Sequence, residues 1–120
     1  MQPNHPESDF AALAHVVGND DARLQRLLSI FATSARADLG RWTQARHAGD
    51  CDILQRLAHR LKSGCQQLGE QTAASAFDAV EQHRGTAAEL ESLAESAQLE
   101  LEQTLDRVTA FQTRGLADRT

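Results

Sequence analysis

The sequence predicts an all-α protein, an antiparallel up-down four-helix bundle with one additional short N-terminal helix, and three observations carry that expectation. Both prolines, Pro3 and Pro6, fall within the first six residues, so the remaining 114 lack the commonest helix breaker. Good helix formers dominate, above all alanine, leucine, glutamate, glutamine and arginine. Apolar residues recur at three- and four-residue spacing, and no stretch alternates apolar and polar residues long enough to suggest a strand.

The first helix is expected from about Ser8 to Val17, with Phe10, Leu13, Ala14 and Val17 on one stripe, closed by Gly18. After Asn19-Asp20 a long second helix reaches about His47. Leu24, Leu27, Leu28, Phe31, Ala35, Leu39 and Trp42 trace its buried face, and Gly40 lies within it. Gly49 stops it and Asp50 can cap the third helix, which carries Ile53, Leu54, Leu57, Ala58, Leu61, Cys65 and Leu68 inward until Gly69. The fourth spans about Glu70 to Arg84, with Ala73, Phe77 and Val80 as its face. Thr86 and Glu89 then form a capping-box pattern for the fifth. Its stripe runs through Leu90, Leu93, Ala97, Leu101, Leu105, Val108 and Phe111, Leu99 faces out, and Gly115 ends it. Residues 1–7 are expected as a flexible tail, 8–114 as the domain and 115–120 as a polar tail. Short glycine-containing connections favour antiparallel neighbours.

At 120 residues the chain has room for one domain. Its net charge of −5 is concentrated in residues 61–120, which hold 10 acidic and 5 basic groups, and this argues against nucleic acid as a partner. No apolar run approaches the roughly 20 residues that span a bilayer. No secretory signal pattern opens the chain. No membrane contact and a cytoplasmic location are therefore expected. A monomer is expected too. Cys51 and Cys65, 14 residues apart on one expected helix, would lie about 21 Å from each other, too far for a disulfide. No His/Cys/carboxylate cluster suggests a metal site.

The third helix concentrates the chemistry. With Leu54 at zero and 100° per residue, the buried stripe clusters around it and His59 falls at about 140°, facing solvent. Gln55, Lys62, Ser63 and Gln66 share that exposed strip. The chain holds 11 arginines and a single lysine, and that lysine is Lys62, one turn from His59. A neutral imidazole is a good nucleophile near pH 7. Arg60 and Lys62 are expected to disfavour its protonation, and an ammonium beside it would offset the charge of a transferred phosphoryl group. Ser63 is small enough to admit another protein's active site.

The run His59-Arg60-Leu61-Lys62-Ser63-Gly64-Cys65-Gln66-Gln67-Leu68-Gly69 resembles the signature H-x-L-K-G-x-x-x-x-x-G of histidine-containing phosphotransfer (HPt) domains. The resemblance extends from Leu24 through Phe31, across Ala48-Gly49-Asp50 and Leu57-Ala58, and on through Ala73 to His83, nearly the whole chain. It departs at Ser63, where the family has glycine, and places Gly64 one position later. The resemblance implies that His59 is phosphorylated and that Lys62 supplies charge beside it. Gln55, Arg60, Ser63, Gly64 and Gln66 would serve partner docking. The implied activity is relay of a phosphoryl group from one receiver-domain aspartate to another, with magnesium held by the receiver and no cofactor bound by this chain. The implied partners are response-regulator receiver domains, and a parent hybrid sensor kinase if the domain belongs to one.

Two competing readings are weaker. The phosphoacceptor domain of a sensor kinase typically follows its histidine with an acidic residue and a nearby proline, whereas Arg60 follows here. No glycine-rich segment suggests ATP binding, so a kinase is not expected. A non-catalytic helical adaptor would use the same bundle with His59 incidental.

Overall fold

The computed structural model describes the backbone of residues 10–119 and the side chains of residues 10–114. It comprises five helices: α1 (Ala11–Val16), α2 (Asp21–Ala48), α3 (Cys51–Leu68), α4 (Gln71–Gln82) and α5 (Ala87–Arg119). No strand occurs among the described residues. The helices α2 to α5 form a closed ring in which each packs on its chain neighbour and α2 returns to α5. Their short connections make neighbours antiparallel. The helix α1 packs on α2 and α3 at the end where α3 stops, with Ala12 3.9 Å from the position a side chain on Gly69 would occupy.

The punctuation follows local chemistry. The Asp20 carboxylate accepts from Arg23 N at 3.2 Å and that of Asp50 from Ile53 N at 3.1 Å, satisfying orphan amides at the starts of α2 and α3. Thr86 and Glu89 form the reciprocal capping box at α5, with bonds of 2.9 and 3.1 Å. Gly49 and Gly69 close α2 and α3 at φ of 66° and 79°, where an L side chain would be strained.

The core runs the length of the ring. Trp42 and Phe77, both fully buried, meet edge to face at 5.1 Å, and the Trp42 indole donates to Ala94 O at 3.1 Å. Alanines at 32, 35, 45, 58, 73, 74, 94 and 97 are buried and let the backbones approach closely. The expected stripe on α3 is buried from Leu54 to Leu68, and Leu99 faces out at 54% exposure.

Five expectations are corrected. Leu27 is exposed, because α1 has only six residues and leaves a trough of about 240 Å³ between itself, α2 and α3, lined by Leu27, Ile30 and Phe31. Ile53 is exposed in the first turn of α3, beside Arg56 and Arg60. The helix α4 stops at Gln82, its last amide groups giving way to the extended backbone of His83. The helix α5 continues past Gly115 to Arg119, since glycine weakens a helix interior but does not end it without a capping partner. The expected tail 1–7 and Ser8 lie outside the described residues, but α1 begins only at Ala11, after a left-handed Phe10 at φ 60°, short of the expected start near Ser8.

Candidate functional site

The register of α3 places His59 on its outer face, with a side chain 65% exposed. The imidazole leans on α4, where Nδ1 lies 2.8 Å from Glu81 Oε2. The other carboxylate oxygen of Glu81 is 2.7 Å from Lys62 Nζ, and that ammonium also donates to Asp78 at 3.1 Å. Glu81 and Asp78 are three residues apart on one face of α4, so a single lysine stem from α3 reaches both. The Lys62 ammonium, against the opposing effect of burial, and then His59 hold the Glu81 carboxyl below its ordinary value. Its hydrogen bonds to Glu81 and then Asp78 hold the Lys62 ammonium above its own.

These charges settle the tautomer. An ionised carboxylate only accepts hydrogen bonds, so the proton between His59 and Glu81 belongs to Nδ1. In the neutral ring the lone pair then resides on Nε2. His59 borders an open hollow of about 520 Å³, shared with Asp52, Gln55, Arg56, Glu81 and Arg84.

The sequence-derived residues fall into distinct groups. His59, Ser63 and Gln66 are exposed on α3 as expected. Lys62 is not free in solvent: its side chain is 18% exposed and committed to α4. Arg60 turns to the opposite flank, where Asp38 of α2, almost fully buried, holds it at 3.4 Å and Arg41 at 2.8 Å. The charged group in contact with the His59 ring is the Glu81 carboxylate, while Arg60 is paired with Asp38 and Lys62 with Asp78 and Glu81. Gln55 borders the hollow but is partly buried; its amide donates to Val80 O at 3.3 Å and His83 O at 3.0 Å, tying α3 to the end of α4. Gly64 is half-buried against α2, where a Cβ would stand 3.2 Å from the Phe31 ring.

Glu81 escaped the reading of the sequence. Its signal was the acidic pair Asp78 and Glu81 flanking the buried Phe77 and Val80, opposite the chain's only lysine. Of the other histidines, His15 and His47 are exposed near helix C-termini, and His83 Nε2 lies 3.0 Å from Thr86 O within the α4–α5 connection. His5 lies outside the described residues. Among the described residues no group of three or more His, Cys, Asp or Glu is placed to hold a metal. Burial pushes the Cys65 thiol up to about 12, so it is inert core, while Cys51 is exposed.

The arrangement is a solvent-facing imidazole with one fixed nitrogen and no enclosed pocket, which suits a group handed from one protein to another. The family model described as the Hpt domain matches residues 26–111, most of α2 and α5 and all of α3 and α4. The chain belongs to the Hpt domain family. No curated protein and no solved structure matches it. Hpt domains are phosphotransfer intermediates of two-component phosphorelays, working through a phosphohistidine. They carry the group without kinase activity of their own and interact with response-regulator receiver domains. Among the described residues of this Hpt domain no helix is long and apolar enough to cross a membrane.

Proposed function

We propose that His59 is the phosphoacceptor of this domain and that Nε2 is the reacting nitrogen. The observation that carries the reading is the 2.8 Å contact of Nδ1 with Glu81, which commits one ring nitrogen of a side chain that is 65% exposed and borders the hollow. A receiver domain presents an aspartyl phosphate; the Nε2 lone pair attacks phosphorus as the bond from phosphorus to the aspartyl oxygen breaks, and the aspartate leaves as carboxylate. The Nδ1 proton stays in place, and the positive charge gained by the ring is met by Glu81. A second receiver reverses the sequence with its own aspartate. Magnesium belongs to the receiver in this scheme, and this chain contributes no cofactor.

Lys62 acts one step back from the phosphoryl group. Its ammonium holds Glu81 in register with His59 and reduces the repulsion between Glu81 and Asp78. The surface offered to the receiver is the outer face of α3, where Ser63 and Gln66 are exposed, with exposed Arg60 on the flank toward α2; Gln55 and Gly64 shape it from beneath. Ser63 in the glycine position keeps the approach to His59 open.

The test is incubation with several purified phosphorylated receiver domains and magnesium, following acid-labile, base-stable label on the wild type, His59→Gln and Lys62→Ala. Label is expected on the wild type, none on His59→Gln, and less on Lys62→Ala. Equal labelling of wild type and His59→Gln would remove the proposal, and absence of label from every receiver would leave a helical adaptor as the better account.

A further inference from the structure

A phosphoryl group brings about two negative charges into a site whose own charges are already unbalanced. Lys62, the cation of the sequence signature, faces two carboxylates, Asp78 at 3.1 Å and Glu81 at 2.7 Å. That cluster keeps surplus negative charge before any phosphoryl arrives. Arg60 is drawn to Asp38 on the other flank of α3. Neither cation of the signature run is therefore free to meet the phosphoryl oxygens.

The hollow beside His59 holds two others. Arg56 precedes His59 by three residues on the same face of α3, and helical side chains lean toward the N-terminus, so the His59 ring extends over the turn that bears Arg56. No ion pair engages Arg56 among the described residues. Arg84 approaches from the connection between α4 and α5: its Nη1 donates to the carbonyls of Glu81 at 3.2 Å and His83 at 2.8 Å. Those bonds anchor the guanidinium at the rim while its charge stays without a carboxylate partner among the described residues. The acidic lining is Glu81, matched by Lys62, and Asp52 in the first turn of α3, where the helix dipole accommodates a carboxylate.

We infer that Arg56 and Arg84 are the groups that receive the phosphoryl oxygens on His59 Nε2, while Lys62 is the positioning residue for Glu81. The inference rests on the phosphoacceptor role proposed for His59. Guanidinium forks suit the task, because they pair two donors with phosphoryl oxygens at fixed geometry and stay charged at every relevant pH. No additional bond is made or broken: the N–P bond forms as the donor's bond to phosphorus breaks, and the arginines only lower the charge density on the moving group.

Phosphoramidate, a small donor that needs no protein docking, separates this role from partner recognition. The wild type, Arg56→Gln, Arg84→Gln, the double variant, the two Arg→Lys variants and Arg26→Gln, an exposed α2 arginine, would be labelled in parallel. Circular dichroism would confirm their folding. Each Arg→Gln change is expected to slow labelling of His59 about tenfold, with partial recovery in the Arg→Lys variants and no effect of Arg26→Gln. A phosphorus NMR titration of the loaded double variant should place the second ionisation of the phosphoryl group at higher pH than in the wild type. Wild-type labelling rates and an unchanged ionisation in the double variant would overturn the inference. So would slow transfer from receivers with unaltered phosphoramidate labelling, which would assign the arginines to docking. A wild type that takes no label at His59 from phosphoramidate or from receivers would instead sink the phosphoacceptor reading itself, and this inference with it.

Discussion

His59 Nδ1 and Glu81 Oε2 lie 2.8 Å apart, so a carboxylate on α4 fixes the tautomer of a histidine on α3. Glu81→Gln keeps the size of the side chain but can donate to Nδ1 as readily as accept from it. Nitrogen-15 NMR of the imidazole should therefore show the Nδ1-protonated tautomer dominant in the wild type and mixed in the variant, with labelling slowed about tenfold. A tautomer ratio unchanged by the substitution would mean that Glu81 does not set it.

The same carboxylate makes stability depend on pH. Its folded value lies below the ordinary 4.5, so its stabilising contribution is complete above 4.5 and is lost as pH falls through the lower folded value. Lys62, raised from 10.5, contributes fully below that value and loses its share only as pH climbs through the higher folded one. Thermal melts should accordingly show the gap between wild type and Glu81→Gln narrowing as pH falls below 4.5, and a gap unchanged by acid would contradict the pairing.

Core and clasp on α3 can be told apart by stability. Leu57→Ala and Leu61→Ala remove residues buried to 5% and 3% exposure and should cost about 2–5 kcal/mol. Gln55→Ala, on sequence grounds a surface change of little cost, removes two bonds to carbonyls at the end of α4 and just past it and should cost about 1–2 kcal/mol. Urea denaturation measures all three, and a neutral Gln55→Ala would show that the clasp is not formed in solution.

Two helical glycines should respond differently to alanine. Nothing lies within 4 Å of a Cβ built on Gly40, so Gly40→Ala should stabilise by about 0.5–1 kcal/mol through helix propensity alone. At Gly64 the Phe31 ring stands 3.2 Å away and has to give, so Gly64→Ala should fall short of that gain. Equal gains in parallel melts would place α2 farther from α3 than the structure has it.

Much of this domain was legible in its residues because its determinants are local. Caps and stops such as Asp50, Gly69 and the Thr86/Glu89 box depend on a few neighbouring groups, and the phase of α3 that exposes His59 follows from the spacing of Leu54, Leu57, Leu61 and Cys65 alone. Where the expectation failed, it failed over distance. Leu27 carries the same periodic signal as Leu28, yet one is exposed and the other buried, because coverage depends on how far the short α1 reaches.

By itself the sequence determined the helices, their order, the buried stripes and the outward placement of His59, since each rests on periodicity and capping within one segment. Only the tertiary structure decided what surrounds the imidazole. Glu81 lies 22 residues beyond His59 and meets it because α4 folds back along α3; the same packing turns Lys62 inward and leaves Arg56 and Arg84 at the rim. Side-chain partnership across helices depends on relative rotation and rise, which the periodicity of either helix alone leaves free.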